Sequence, residues 1–332
     1  MKYKLLDDAF SAQDIAKGIK VLKSKQITMS KETRAFEKNF AKKIGAKFAV
    51  MVNSGSSANL IALFASINPL QKNYLKKGDE VIIPAICWST SLWPIVQAGL
   101  KPIFVDVDLD TLNMSIEDLE KKINSKTKAI MCVHILGLPT NMKKVNQICK
   151  KRKLILFEDT CESLGTTYEK KYLGTFGDYG MYSFYYSHQI TSGEGGMVVC
   201  NNEKNYNILK SLRSHGWSRD TSFHKSIAKK YKNLDEKFLF INSGFNLRPT
   251  EIQAAIGNNQ LKRIDKFIKI RNYNRKKIIF TIKKNAKWDG QFNFIYPKKN
   301  VYPSWFGLAI LINPLYKKKI KKFLNFINKQ NI

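Results

Sequence analysis

The stretch that decides the fold is Gly180-Met-Tyr-Ser-Phe-Tyr-Tyr-Ser-His188-Gln-Ile-Thr-Ser-Gly-Glu-Gly-Gly196. Its apolar, aromatic first half is typical of a buried strand, and a glycine-rich turn follows. His188 stands where the apolar run ends. Because ligands bind at the carboxyl ends of strands in open α/β sheets, the stretch places His188 at a ligand-binding edge. Imidazole exchanges protons near neutral pH, so His188 is a candidate acid/base.

The flanking sequence alternates short apolar runs with helical patterns. Strands are predicted at 46–52, 80–84, 102–105, 129–134, 154–158, 180–186 and 197–200. Helices are predicted between them at 58–66, 89–98, 116–123, 142–151 and 205–214. Apolar strands separated by helices favour an α/β fold with a mainly parallel sheet covered on both faces.

After about Asn246 the pattern changes. We expect a long helix from Glu251 through Lys269 and beyond, a strand at 305–312 and a basic helix, which together indicate a smaller α+β domain. The domain prediction is therefore a large domain at 1–245 and a small one at 246–332, with an N-terminal segment that packs on the small domain.

Composition indicates a soluble enzyme. The 332 residues, 44% of them hydrophobic, can bury a sizeable core. The chain lacks an 18-residue apolar run and its N-terminus lacks a signal-peptide core, so we expect a cytoplasmic protein without a membrane partner. The five cysteines show neither disulfide nor metal-site spacing. The formal net charge of +31 is spread along the chain without a nucleic-acid module, and we attribute it to a compositional bias of the source genome.

Three further motifs follow predicted strands. Val52-Asn-Ser-Gly-Ser-Ser-Ala58 leads into a helix, where N–H groups and hydroxyls either bind a phosphate or simply cap the helix. In Ile83-Pro-Ala-Ile-Cys-Trp-Ser-Thr90, Trp88 either lies flat on a planar ligand or packs in the core. In Leu156-Phe-Glu-Asp-Thr-Cys-Glu162, Asp159 needs a partner if it is buried; the alternative is a pair of solvated carboxylates, Glu158 and Asp159.

Together these motifs resemble the cofactor segments of the DegT/DnrJ/EryC1/StrS sugar aminotransferases, which use pyridoxal phosphate (PLP). The resemblance runs from about Ala12 to Leu311 and implies the PLP-dependent transferase fold of type I. It implies that the cofactor is bound by Ser56, Ser57 and Ser183 at its phosphate, Trp88 and Asp159 at its ring and ring nitrogen, and Glu162 at its 3-hydroxyl. The aminotransferases usually carry glutamine in place of Glu162.

His188 occupies the position at which the family's aminotransferases carry the lysine that links covalently to PLP. The nearest lysines, Lys171 and Lys204, are too far along the chain to replace it. Within the family, this change resembles the branch of sugar 3-dehydratases. That branch implies that the amine of pyridoxamine phosphate (PMP) condenses with the C4 ketone of a nucleotide-linked 4-keto-6-deoxyhexose. His188 then moves a proton from the cofactor to the departing C3 hydroxyl, while Asp159 keeps the ring nitrogen protonated.

The resemblance also implies partners. It predicts a homodimer in which Asn246 reaches the phosphate of the neighbouring subunit's cofactor, with glutamate as the amino donor that restores PMP. Arg248 is a candidate for anchoring substrate or subunit, and His215 for contacting substrate, although a structural role for His215 is equally consistent. Related chains continue beyond Asn331-Ile332 with a further strand and helix, so we expect a truncated small domain.

Alternatives remain at this point. An iron–sulfur type of dehydratase is disfavoured because residues 213–257 contain no cysteine. An ordinary sugar aminotransferase in which His188 is a tolerated change, and a non-catalytic family member, are both still open. The sequence distinguishes neither GDP from CDP nor one hexose from another.

Overall fold

The computed structural model describes residues 9–330. Residues 1–8 and 331–332, the outer ends of the two predicted domains, lie outside the described residues. So does most of the N-terminal stretch from which the cellular location was predicted. The helices are α1 Ala12–Ser24, α2 Lys31–Ile44, α3 Gly55–Ser66, α4 Ser89–Gln97, α5 Ile116–Lys122, α6 Met142–Arg152, α7 Glu203–Arg213, α8 His224–Lys230, α9 Glu251–Leu261, α10 Ile264–Lys284 and α11 Ile320–Lys329. Short 3-10 helices occur at Ile135–Gly137, Glu236–Phe238 and Pro314–Lys319.

Seven strands form the central sheet. They are β1 Phe48–Val52, β2 Glu80–Pro84, β3 Lys101–Val105, β4 Thr127–Val133, β5 Ile155–Asp159, β8 Tyr179–Ser183 and β9 Gly196–Cys200. The smaller sheets use β6 Thr167–Tyr168, β7 Lys171–Tyr172, β10 Phe292–Phe294, β11 Val301–Tyr302 and β12 Ile310–Ile312. The central order is β1-β9-β8-β5-β4-β2-β3. Six of these strands run in one direction, and β9 runs in the opposite direction. The predicted fold, an α/β type I architecture with a mostly parallel sheet, is confirmed.

Helices cover both faces of this sheet. Along β1, Val50 and Val52 pack in the core on one face, whereas Ala49 and Met51 pack in a second core on the other. Alternate residues of a strand point to opposite faces, so a strand with four consecutive buried apolar residues must be covered twice. This double burial explains why the central strands are continuously apolar instead of alternating.

The sequence prediction missed α1 and α2. A capping box between Ser11 and Asp14 begins α1, and this signal was available in the sequence. Asp14 is fully buried and accepts hydrogen bonds from Asn259 and Gln260 of α9. It also pairs with Arg263, just beyond that helix. The N-terminal helix is therefore fastened to the start of the C-terminal region.

The helix predicted from Glu251 through Lys269 is wrong as a single element. The structure ends α9 at Leu261 and begins α10 at Ile264. Neither glycine nor proline marks this break, and the backbone of Arg263 leaves helical geometry at φ −105° and ψ 0°. The side chain of Arg263 is held by the buried Asp14 carboxylate, so a tertiary contact accompanies the break that local propensity does not predict.

Two predicted strands are shorter in the structure. The strand predicted at 180–186 ends at Ser183, and a turn follows in which the backbone N–H of His188 donates to the carbonyl of Tyr185. The strand predicted at 305–312 is reduced to Ile310–Ile312. Backbone carbonyls from residues 303 to 306 accept hydrogen bonds from side chains of other elements, so they are not available to a strand ladder.

Within residues 9–330, no helix combines the length and the apolar character needed to cross a bilayer. The boundary proposed between 245 and 246 stays a prediction. In the structure, β11 pairs with β6, so residues 301–302 share a small sheet with residues 167–172.

Glu251 provides a test of how the N-terminal helices are held. Its buried carboxylate accepts hydrogen bonds from the backbone N–H groups of Ser30, Glu32 and Thr33 at 3.0, 2.7 and 3.1 Å. The N-cap residue of α2 makes no side-chain cap bond of its own. Glu251 therefore caps this helix from a distant part of the chain.

We expect Glu251→Ala to lower the free energy of unfolding by about 3 kcal/mol, because buried donors lose a charged acceptor. Urea denaturation measures this change. The control is Glu117→Ala, which removes a solvent-exposed carboxylate paired with Lys121 and is expected to change stability little. Equal effects of the two substitutions would contradict the proposed capping.

Candidate active site

A cavity of about 450 Å³ opens at the carboxyl ends of the central strands. Parallel strands bring the loops that follow them to one edge of the sheet, so residues distant in sequence meet there. Six of the predicted site residues line this cavity: Ser56, Trp88, Asp159, Glu162, Ser183 and His188. The sequence motifs therefore converge on one place.

Asp159 ends β5 and is only 4% exposed. Its Oδ2 atom accepts hydrogen bonds from Asn59 Nδ2 at 2.8 Å and from Ser91 Oγ at 2.6 Å. The backbone N–H of Cys161 donates to Oδ1 at 3.1 Å. The alternative of a solvated Asp159 is thus wrong, and its carboxylate is oriented by three donors.

Glu158 is also buried, on the opposite side of the strand. Its carboxylate accepts hydrogen bonds from the backbone N–H groups of Gly174, Phe176 and Gly177 at 2.7–2.9 Å and lies 3.2 Å from His134 Nε2. Thr140 N donates to His134 Nδ1, so this imidazole donates through Nε2 to Glu158. Glu158 is therefore a satisfied structural carboxylate, not a solvated one.

The turn before α3 provides both a cap and free donors. Ser54 is the N-cap and accepts from the backbone N–H of Ser57, whose hydroxyl donates to Asn53 Oδ1 at 2.6 Å. Ser57 is thus engaged in the cap, whereas Ser56 is exposed and lines the cavity. The structure supports both readings of this motif, since the helix is capped and its N-terminus also faces a cavity.

Gly55 allows β8 to approach this helix closely. A Cβ atom at Gly55 would lie 2.6 Å from Ser183 Cβ and 3.1 Å from Cys161 Sγ. These distances are too short for any side chain at position 55. Glycine therefore permits the helix N-terminus and Ser183 to share one cavity wall.

His188 lines the same cavity and is largely enclosed. Its Nδ1 atom is buried without a hydrogen-bond partner among the described residues. Burial lowers the pKa of His188 to about 4, although the nearby Asp159 carboxylate acts in the opposite direction. The imidazole is consequently neutral at neutral pH and can accept a proton.

Glu162 and Cys161 lie beside these groups. Glu162 Oε2 accepts from the backbone N–H of Leu136 at 2.8 Å. Burial raises the pKa of Glu162, and the charge of Asp159 adds to this effect while the Leu136 bond opposes it. Burial and the same Asp159 charge also raise the pKa of the Cys161 thiol, which is therefore a poor nucleophile.

Trp88 immediately precedes α4 and is 72% exposed. This exposure excludes the core alternative for Trp88. Its indole lines the cavity opposite the α3 N-terminus, which leaves its surface available to a flat ligand.

Four predicted residues are not among those that line this cavity: Ser57, which belongs to the α3 cap, and the group of Asn246, Arg248 and His215. Arg248 joins this group, since its Nε atom donates to Asn246 Oδ1 at 3.0 Å and its Nη2 atom lies 3.2 Å from His215 Nε2. His215 and Asn246 are exposed. None of the three is among the residues that line the His188 cavity within this chain.

Sequence reasoning missed three residues of the site. Asn59 and Ser91 hold Asp159, and Phe306 packs against the His188 ring with centroids 5.0 Å apart. Asn59 lies two residues after the Ser-Gly-Ser-Ser motif and Ser91 lies three residues after Trp88, so their proximity to known motifs was a usable signal. No comparable signal marks Phe306.

Comparisons with known proteins agree with this geometry. The DegT/DnrJ/EryC1/StrS aminotransferase family model matches residues 9–332. A GDP-4-keto-6-deoxy-D-mannose 3-dehydratase of Escherichia coli O55:H7 is 42% identical over 294 residues, covering 88% of this chain and 74% of that protein. A GDP-perosamine synthase of Escherichia coli O157:H7 is 38% identical over 233 residues, covering 70% of this chain and 58% of that protein.

A solved structure is also similar. It is a GDP-4-keto-6-deoxymannose-3-dehydratase with a trapped PLP-glutamate geminal diamine, 37% identical with a TM-score of 0.92, and the match covers 99% of this chain and 84% of that one. The matched region includes every motif on which the resemblance was based. The chain therefore belongs to the DegT/DnrJ/EryC1/StrS aminotransferase family.

Proposed function

We propose that this chain catalyses the PLP/PMP-dependent 3-dehydration of a nucleotide-linked 4-keto-6-deoxyhexose, giving a 4-keto-3,6-dideoxyhexose for bacterial surface sugars such as O-antigen. The observation that carries the proposal is His188, a neutral imidazole in the position of the family lysine, facing a cavity that it shares with Asp159. The 3-dehydratase relatives, which match nearly the whole chain, support the same reaction.

The cavity has the donor set that PLP or PMP requires. The N-terminus of α3 and the Ser56 and Ser183 hydroxyls suit a phosphate, and the Trp88 indole suits the face of a ring. Asp159 receives three donors and is placed to accept a fourth from a protonated ring nitrogen. Asn59 Oδ1, on the cavity wall, is buried without a partner among the described residues. When bound, the cofactor supplies an electron sink for breaking a C–O bond of the sugar.

His188 is the acid/base of the proposal. Its buried Nδ1 leaves Nε2 as the nitrogen for proton exchange in the cavity. A neutral imidazole can take a proton at Nε2 and deliver it to the C3 oxygen of the sugar, which leaves as water. A histidine cannot link covalently to the cofactor as the family lysine does, so we propose that the cofactor is held only by non-covalent contacts.

Glu162 differs from the glutamine usual in the aminotransferases. Its raised pKa favours the protonated carboxyl, which can donate a hydrogen bond as an amide NH₂ does. In its protonated form Glu162 keeps the donor that glutamine offers to the cofactor's 3-hydroxyl, and in its ionised form it can only accept.

A homodimer is a further part of the proposal. Asn246, Arg248 and His215 form an exposed cluster away from the cavity of their own chain. Such a cluster can serve a neighbouring subunit's site, with Asn246 directed at the cofactor phosphate and Arg248 and His215 at the sugar nucleotide. Glutamate is proposed as the amino donor that restores PMP. The cytoplasmic location stays a prediction.

The main competitor is a nucleotide-sugar aminotransferase, the activity named by the perosamine synthase relative. The proposed function is tested by incubating the protein with PMP, glutamate and either a GDP- or a CDP-linked 4-keto-6-deoxyhexose. Dehydration releases ammonia and gives a sugar that has lost the C3 oxygen. Transamination instead gives an amino sugar without ammonia, and this result would replace the proposal.

The non-covalent cofactor can be tested by borohydride reduction of the PLP-loaded protein. We expect wild type to form no protein-bound adduct, whereas His188→Lys should form one, because it places an amine in the position of the family lysine. Mass spectrometry of peptides measures the adduct. The same variant should lose ammonia release by at least about 100-fold, since an amine committed to the cofactor is not a free acid/base. A cofactor adduct on any lysine of the wild type would show that the cofactor is bound covalently and would contradict the prediction.

Shared active sites can be tested by mixing two defective variants at a PMP concentration too low to saturate Asn246→Ala. His188→Asn removes the acid/base, and Asn246→Ala is expected to weaken PMP retention. In a mixed dimer one site receives both intact residues and the other both defects, so about a quarter of wild-type activity should return after random reassociation. Ammonia release measures it. No recovery above the separate variants, in chains shown to exchange, would assign Asn246 to its own subunit.

A further inference from the structure

We infer that Phe306, clamped through its backbone by Arg271, is the positioning residue that fixes the His188 imidazole for proton transfer. This inference rests on the proposed function of His188. It adds a residue from the C-terminal region to a site whose other parts come from the loops after the central strands.

The Nδ1 atom of His188 has no hydrogen bond among the described residues that would orient the ring. A histidine that works through one ring nitrogen is commonly held by a hydrogen bond at the other. Here Nδ1 is buried and has no hydrogen-bond partner among residues 9–330. The backbone bond from His188 N to the Tyr185 carbonyl sets the main chain, and the Cys161 backbone beside the ring raises the pKa of the imidazole. A further contact that restricts ring rotation comes from the neighbouring aromatic rings.

Aromatic packing provides that contact. The Phe306 ring lies 5.0 Å from the imidazole centroid at an interplanar angle of 39°. Tyr185 meets the imidazole edge-on at 6.0 Å and 77°. Both rings line the His188 cavity. Packing between two rings restricts rotation of the imidazole and excludes water from its buried side.

Phe306 is held more firmly than an ordinary loop residue. Arg271 of α10 donates from Nη1 to the carbonyls of both Trp305 and Phe306, at 2.9 and 3.1 Å. The Phe306 N–H donates to the Leu136 carbonyl at 3.3 Å. The Arg271 guanidinium is largely buried, and among the described residues it makes no ion pair, so its hydrogen bonds are spent on this backbone.

The segment before Phe306 is fastened as well. Asn272 donates to the Pro303 carbonyl at 2.8 Å, and Gln189, the residue after His188, donates to the Ser304 carbonyl at 3.2 Å. These side-chain bonds take the place of a strand ladder between 303 and 306. The irregular backbone at this point thus presents one ring to His188 from outside the central sheet.

The charged and titratable groups around His188 come from several elements. They are Asp159 at the end of β5, Cys161 and Glu162 beyond it, His134 after β4, Tyr185 and Glu194 on either side of His188 in sequence, and Arg271 of α10. Burial and Arg271 favour the neutral imidazole, whereas Asp159 and the Cys161 backbone favour the protonated one. Removing the Phe306 ring admits water to the imidazole without removing any of these charges. A change in the pKa of His188 therefore reports the hydration and the orientation of its ring.

The test uses the protein labelled with ¹³C,¹⁵N-histidine. The chain has four histidines, and the ring signal that is missing from His188→Asn is that of His188. In wild type we expect ring contacts between His188 and Phe306 in nuclear Overhauser spectra, and a His188 pKa of about 4. Phe306→Leu keeps an apolar side chain but removes the ring, and should raise the pKa of His188 by about one unit or more toward the unperturbed value near 6.5. Phe306→Tyr keeps the ring and should behave as wild type.

Kinetics supply the second readout. Neutral His188 is the base, so activity is lost as pH falls through its pKa, and a raised pKa moves the acid limb of kcat/KM to higher pH. We expect Phe306→Leu to lower kcat about tenfold with KM little changed. Arg271→Lys, which cannot hold two carbonyls in the same way, should shift the acid limb in the same direction. Phe294→Leu is the control, because it removes a buried ring of β10 that does not contact His188.

The outcomes separate this inference from the proposed function. If Phe306→Leu leaves the His188 resonances, its pKa and the acid limb as in wild type, the positioning role is overturned even in an active dehydratase. If Phe294→Leu has the same effects, general destabilisation is the cause and the inference also fails. If wild type does not dehydrate any sugar, the proposed function fails, while the NMR comparison still decides whether Phe306 orders the imidazole.

Discussion

The parallel register of β4, β5 and β8 is the constraint on which the site depends. Asp159 pairs with Val133 on one side and with Met181 on the other, so the three strands end at nearly the same level. The residues that follow them then share one edge, where ligands of open α/β sheets bind. Slippage by one residue would turn alternate side chains to the other face of the sheet and would point Asp159 away from the cavity. Because side chains on both faces of the sheet are buried, such slippage would disrupt the packing of both cores.

Close backbone approach completes this edge. Gly55 begins α3 against Ser183, and a Cβ atom at Gly196 would lie 2.2 Å from the Ser54 carbonyl oxygen. Two glycines from separate motifs are thus needed for one contact between a helix N-terminus and two strands. This contact explains why the glycine-rich turn after His188 accompanies the Ser-Gly-Ser-Ser motif in one chain. The phosphate-binding end of the cavity and its acid/base end are built by the same packing.

The three ionisable groups of the cavity, Asp159, His188 and Glu162, differ in their hydrogen bonds and in how burial affects them. Asp159 is buried, and three donors fix the orientation of its carboxyl group. His188 is buried without a partner at Nδ1, and its pKa is lowered to about 4. Glu162 shows the opposite response to burial, a raised pKa. Burial in one enclosure therefore shifts the pKa of the imidazole and that of the Glu162 carboxyl in opposite directions, because it disfavours the charged form of each.

The sequence by itself determined the chemistry of this protein and the order of its motifs. Apolar runs with turn signals predicted the central strands, and a histidine in place of the family lysine predicted the altered reaction, because side-chain identity and short-range periodicity are local properties. Tertiary structure alone decided what surrounds them. Asn59 and Ser91 reach Asp159 across 100 and 68 residues, and Phe306 approaches His188 from the C-terminal region. The break after α9 and the irregular backbone from 303 to 306 likewise depend on distant side chains, Asp14 and Arg271 among them. No local pattern encodes such contacts, since they arise only when the sheet has brought separate loops to one edge.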